Sequence, residues 1–138
     1  MTMYETFEHT ADLGLRIRGG DLDALFAEAA RALFSVIVTN LDAVRPRQQI
    51  DFHIEGERID DLLHDWLDEL LFTFSTRHVL LSQFDVSIRD SVLTGIARGE
   101  PIDPARHEID LEVKAITYHG LKVQPEGPGW LAEVIVDI

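Results

Sequence analysis

The sequence predicts an α+β fold in which two amphipathic helices pack on a mainly antiparallel or mixed β-sheet. Two segments place apolar residues at helical spacing. Several others alternate apolar and polar residues with a period of two, and a cluster of prolines and glycines near the end separates two apolar runs.

Along the chain, Tyr4 to Phe7 reads as a short opening strand. Leu13, Leu15 and Ile17 then alternate with Gly14, Arg16 and Arg18, as in a strand with one face on the core. In the first helix, Leu22, Leu25, Phe26, Ala29, Leu33 and Ile37 recur behind Asp21, whose carboxylate suits an N-cap. Ile50, Phe52 and Ile54 alternate with Asp51, His53 and Glu55. The second helix carries a continuous stripe of Ile59, Leu62, Leu63, Trp66, Leu67, Leu70, Leu71 and Phe74. Its other face holds Asp60, Asp61, Asp65, Asp68 and Glu69, a solvated side that also suits a basic partner surface.

Beyond the helices, Phe84, Val86 and Ile88 alternate with Asp85, Ser87 and Arg89. Ile109, Leu111 and Val113 alternate with Asp110, Glu112 and Lys114. One-sided strands of this kind favour antiparallel pairing. Leu121-Lys122-Val123 and Trp130 to Val136 flank Pro125-Glu126-Gly127-Pro128-Gly129, which reads as a hairpin with a long turn. The stretch Gly99-Glu100-Pro101-Ile102-Asp103-Pro104 reads as a loop, and residues 1–138 as a single domain. The passages Ile17-Arg18-Gly19 and Ile54-Glu55-Gly56 lead into the two helices with matching apolar spacing. That is the pattern of a weak internal repeat, or of any strand that feeds a helix in phase.

Composition narrows the function. With 46% apolar and 27% charged residues over 138 positions, the chain has the balance of a globular protein with one core. No cysteine is present, which excludes disulfides, zinc–thiolate sites and thiol catalysis. Twelve basic against 25 acidic residues give a net charge of −13. Such a surface repels phosphates, so direct nucleic acid binding is not expected, and any role near RNA would go through a protein partner or a cation. The start shows no secretory pattern and no apolar run is long enough to span a membrane, so a cytoplasmic location is expected.

Three segments hold groups that carry chemistry. His9-Thr10-Ala11-Asp12 lies between two strands, where an Asp commonly caps a turn. Lys114-Ala115-Ile116-Thr117-Tyr118-His119 is dense in donors and titratable groups. His119 suits acid–base work near neutral pH and Lys114 suits an anion, while the plainer alternative leaves polar tips in water at a strand end. Val134-Ile135-Val136-Asp137-Ile138 is an apolar strand closing on Asp137 and the α-carboxylate of Ile138. Two anionic groups so close repel unless a cation or a basic side chain compensates, and a third carboxylate from elsewhere would suit a hard ion such as Ca²⁺ or Mg²⁺.

Taken together, His9-Thr10-Ala11-Asp12-Leu13-Gly14, Val113-Lys114-Ala115-Ile116-Thr117-Tyr118-His119 and the closing Val134-Ile135-Val136-Asp137-Ile138 resemble the motifs of the archease family. The Arg106-His107 pair is also similar to the family's pattern. The resemblance spans essentially the whole chain. It implies an accessory protein, not an enzyme, that promotes guanylylation and repeated turnover of the RtcB-type RNA ligase in tRNA splicing and RNA repair. It further implies a divalent metal, calcium first with magnesium or manganese as alternatives, held by Asp12, Asp137 and the carboxylate of Ile138. His9, Lys114, Tyr118 and His119 lie in matching motifs without assigned roles. Two rival readings are a stand-alone metal-dependent phosphoesterase or hydrolase, and a chaperone-like binding module. No phosphate-cradling loop supports the first, since Gly19-Gly20 lacks the flanking Lys and Ser or Thr.

Overall fold

A computed structural model describes residues 3–9 and 12–138, with the backbone alone at residues 8 and 9. Among the described residues, two α-helices and eight strands form the α+β fold the periodicities predict, with antiparallel pairing throughout. The strands are β1 (Met3–His9), β2 (Asp12–Gly19), β3 (Gln48–Glu55), β4 (Val79–Arg89), β5 (Val92–Pro101), β6 (Ala115–Ile116), β7 (Lys122–Glu126) and β8 (Gly129–Asp137). The helices are α1 (Leu22–Ile37), after β2, and α2 (Ile59–Arg77), after β3. One sheet runs β1-β2-β8-β6, with β7 also on β8, and the other runs β3-β5-β4.

The helices form where the apolar stripes predict. Asp21 caps α1 by accepting from the Ala24 N–H at 2.7 Å. Besides the expected stripe, Ala30, Ala32, Phe34 and Val36 are buried, because α1 packs against both β2 and β4 and so lies between the two sheets. On α2, Trp66 fixes the packing. Its indole Nε1–H donates to the Phe26 carbonyl at 3.0 Å, and its ring meets Phe52 edge-on at 5.4 Å. Gly95 leaves the space that the Trp66 ring fills. Neither helix is long and apolar enough to cross a membrane.

Three expectations need correction. Gly99 to Pro101 are not loop: they end β5, where Glu100 pairs with Leu80 and the missing Cβ of Gly99 lets the Leu80–Leu81 backbone approach. Residues 109–113 do not form a regular strand. Only Ile109 makes a bridge, to Val38, and the Asp110 and Leu111 N–H groups donate to the last carbonyls of α1, Ile37 and Val36. The alternation there records Val113 buried and Ile109 exposed, without a partner strand. Finally, the hairpin turn is short, because Pro125 and Glu126 belong to β7 and Gly129 to β8; Gly127 takes φ 57° in the turn.

The Arg106-His107 pair has a structural task. Glu100 is only 3% exposed, and its carboxylate accepts from Arg106 (2.6 Å), His107 Nε2 (3.0 Å) and the Arg45 N–H (2.8 Å). The Asp103 N–H donates to His107 Nδ1, which puts the ring proton on Nε2, facing Glu100. Loop 102–108 is thereby fastened to the end of β5. Arg106 first, then the Arg45 and His107 bonds, hold the Glu100 pKa down at about 2 against the opposing effect of burial.

Candidate functional site

The sheet containing β8 brings the three candidate segments together. β2 carries the first, β8 the last and β6 the middle one, and β8 lies between the other two. In the register, Asp12 stands opposite Asp137, and Asp137 stands opposite Ala115 on its other side. The Lys114 N–H donates to the Asp137 carbonyl at 2.7 Å and the Thr117 N–H to the Ile135 carbonyl at 3.0 Å. On β1, the His9 backbone lies opposite Asp12. The side chain of His9, with Thr10 and Ala11, lies outside the described residues.

Strand alternation sets which way these groups face. Ala132, Val134 and Val136 belong to the core, as do Leu15 and Ile17 of β2. Asp137 and Asp12 therefore occupy the opposite face, shared by Glu133 and Arg16, and directly opposed residues of an antiparallel pair lie on the same side of the sheet. Both aspartates are partly exposed. Next along this face, the Phe7 ring covers Gly14, leaving no room for a side chain there. Beyond it runs a ladder of alternating charge, Glu5–Arg16–Glu133–Lys122, with ion pairs of 3.1, 2.5 and 3.2 Å between neighbours. Arg16 also lies over the Phe7 ring, 4.7 Å from its centroid.

The remaining candidates part company with the aspartate pair. Tyr118 turns to α2 and stacks on His64, with ring centroids 3.9 Å apart. His64 is itself held by contacts of Nε2 with the Ile116 carbonyl (3.0 Å) and Nδ1 with Asp65 (3.1 Å). His119 is exposed, and its N–H donates to Thr117 Oγ1 at 3.2 Å. The Lys114 side chain lines a cleft of about 320 Å³ with Asp68, Glu69, Leu71, Phe72 and Ser75. Sequence reasoning missed His64 and Phe72. His64 left no signal, but Phe72 falls outside the apolar stripe and in phase with the acidic residues, which was readable.

As to what could hold a metal, Asp12 and Asp137 supply two hard oxygen donors on one face. Among the described residues, no three His, Cys, Asp or Glu side chains come close enough together to hold an ion.

Comparison with known proteins agrees with the fold. The Archease protein family matches residues 4–138. "Protein archease" of Methanopyrus kandleri is 43% identical over 139 residues, covering 98% of this chain and 99% of that one. The Pyrococcus furiosus protein of the same name is 40% identical over 144 residues, with both chains fully covered. Protein 1598 of Methanobacterium thermoautotrophicum, solved in solution, superposes with a TM-score of 0.87 at 40% identity, covering 98% of each chain. The Thermotoga maritima archease, titled a "possible chaperone", shares the fold with a TM-score of 0.69 at 22% identity, covering 99% of this chain and 98% of that one. With its three motif segments on adjacent strands and its whole length matched, this chain belongs to the archease family.

Proposed function

We propose that this protein is an accessory factor that promotes guanylylation and repeated turnover of an RtcB-type RNA ligase, without a catalytic cycle of its own. The ligase role comes from the family likeness, and the observation that supports a metal site within it is the register pairing of Asp12 with Asp137. Two carboxylates opposed across neighbouring strands lie close enough to share one ion. Their donor chemistry fits a hard divalent ion, calcium first, with magnesium or manganese as alternatives. Family likeness adds the Ile138 carboxylate as the third donor.

When bound, such an ion supplies positive charge beside phosphate oxygens and orients them. The chain's own residues do the rest. β2 and β8 hold the two aspartates in fixed register, and the Lys114 N–H ties β6 to the same point. A rigid, preset pair of this kind contributes by position. The net charge of −13 supports action through a protein partner in place of direct RNA contact.

The experiment is multiple-turnover RNA joining by the purified ligase with and without this protein. Asp12→Ala and Asp137→Ala should each lose most of the stimulation. A short extension after Ile138 should weaken calcium binding measured by titration. Full stimulation by both aspartate variants would refute the proposed site.

A further inference from the structure

The outward side of α2 carries a surface that the aspartate pair does not use. Asp61, Asp65, Asp68 and Phe72 follow at spacings of four, three and four residues, which places them in one stripe along the helix. Leu62, Leu63, Trp66, Leu67 and Leu70 are buried in the core, so the acidic stripe is held toward solvent. Among the described residues, the exposed large hydrophobics are Met3, Phe72, Ile109 and Tyr118. Two of these four, Phe72 at 63% and Tyr118 at 61% exposure, belong to this one surface.

Tyr118 is not a loose ring, since its stack on His64 fixes it beside the acidic row. Its hydroxyl pKa is raised, first by partial burial and then by the charges of Asp65, Asp61 and Asp68. Among the described residues, Asp68 makes no ion pair, and Asp65 meets only the His64 ring. Clefts flank Asp68 and Glu69 on both sides, one of about 320 Å³ toward Lys114 and one of about 380 Å³ toward His53 and Glu55. The surface thus combines outward carboxylates, the Tyr118 ring fixed on His64, the exposed Phe72 ring and recesses between them.

We infer that this face of α2, with Tyr118, docks an arginine-bearing surface of a partner protein. A guanidinium meets both halves of the face, because it bonds carboxylates through two parallel N–H groups and stacks on aromatic rings. Lysine ammonium is a compact, strongly hydrated charge and serves the second purpose less well. Exposed aromatic anchors surrounded by polar groups are the usual centres of binding energy. The acidic net charge adds long-range attraction for a cationic partner. The surface does not depend on the Asp12–Asp137 pair, so the two can fail separately.

The full chain, isotope-labelled, is titrated with a helical peptide carrying arginines at four-residue spacing, and with its lysine counterpart. Amide shifts should be confined to residues 61–75 and 117–119, with arginine binding about threefold tighter. The Asp65→Asn/Asp68→Asn double variant should bind about tenfold more weakly, and Phe72→Ala about threefold. Shifts scattered over the surface, equal binding of the two peptides, or unchanged binding by the double variant would each overturn the inference. In the RNA-joining assay, the double variant should need about tenfold more protein for half-maximal stimulation at an unchanged plateau. Asp137→Ala should instead lower the plateau. A double variant as potent as the native chain would remove the docking surface while leaving the proposed function in place.

Discussion

Asp12 and Asp137 face each other across the β2–β8 boundary, two like charges at opposed positions of a single ladder. Carboxylates at such directly opposed positions lie within reach of one cation. Calcium should raise the Tm of the native chain, and Asp137→Asn should lose most of that rise. Thermal melts with and without calcium test this, and a rise preserved in the variant would move the ion elsewhere.

Glu100 gives a second expectation, this time in pH. Its pKa is lowered from 4.5 to about 2 in the fold, chiefly by Arg106. A carboxylate held below its unfolded value stabilises fully above that value and loses its contribution as pH falls through the folded one. The stability difference between the native chain and Glu100→Gln should therefore be constant above pH 5, shrink between 4.5 and about 2, and vanish below. At neutral pH the variant should cost on the order of 3 kcal/mol, since it removes the charge that Arg106 pairs with and turns an amide N–H₂ toward one of the donors that Glu100 accepts from. Urea unfolding at a series of pH values would show it.

Two glycines make a paired test of packing. A Cβ at Gly99 would lie 2.7 Å from the Leu80 carbonyl carbon and 2.8 Å from Leu81 Cα, both main-chain atoms that cannot swing aside. Gly20 has nothing within 4 Å of the same position and no left-handed φ. Gly99→Ala should cost about 3 kcal/mol or more by overpacking, whereas Gly20→Ala should stay within about 0.5 kcal/mol of the native chain. Chemical denaturation midpoints separate the two.

The ladder Glu5–Arg16–Glu133–Lys122 should behave as a unit. Arg16 bonds both carboxylates and lies over Phe7, so Arg16→Ala removes two ion pairs and a ring contact together. In urea unfolding Arg16→Ala should destabilise more than Glu5→Ala, which removes only the exposed end of the ladder, because Glu133 is the less exposed partner. Arg16→Lys should recover only part of the loss, since an ammonium cannot reproduce the guanidinium geometry. High salt should narrow the gap without closing it.

Much of this arrangement was legible from residue pattern. Both helices and the Asp21 cap follow from apolar spacing, because a stripe on a 3.6-residue repeat has few other uses. The strand β5 was hidden, since Gly95 and Gly99 look like breakers. They are there because the Trp66 ring and the Leu80 backbone occupy the space. Residues 109–113 misled in the other direction: their alternation implied a strand, but Ile109 is exposed, Val113 is buried, and the segment bonds to the end of α1 in place of a regular ladder. Asp12, taken by itself, reads as a turn residue. Its partnership with Asp137 depends on register between segments far apart in sequence, which local pattern does not encode. The same holds for Tyr118 on His64.

The ladder that joins Arg16 to Glu133 spans 117 positions of the chain. Contacts of such long range must overcome a large closure entropy before they return anything, and they tend to set a slow pace for folding. β2 and β8 should consequently register late, after α1 and α2 have gathered the centre. A cation bound between Asp12 and Asp137 would then engage only the finished molecule. It would act as a latch that slows unfolding and leaves the rate of folding nearly unchanged.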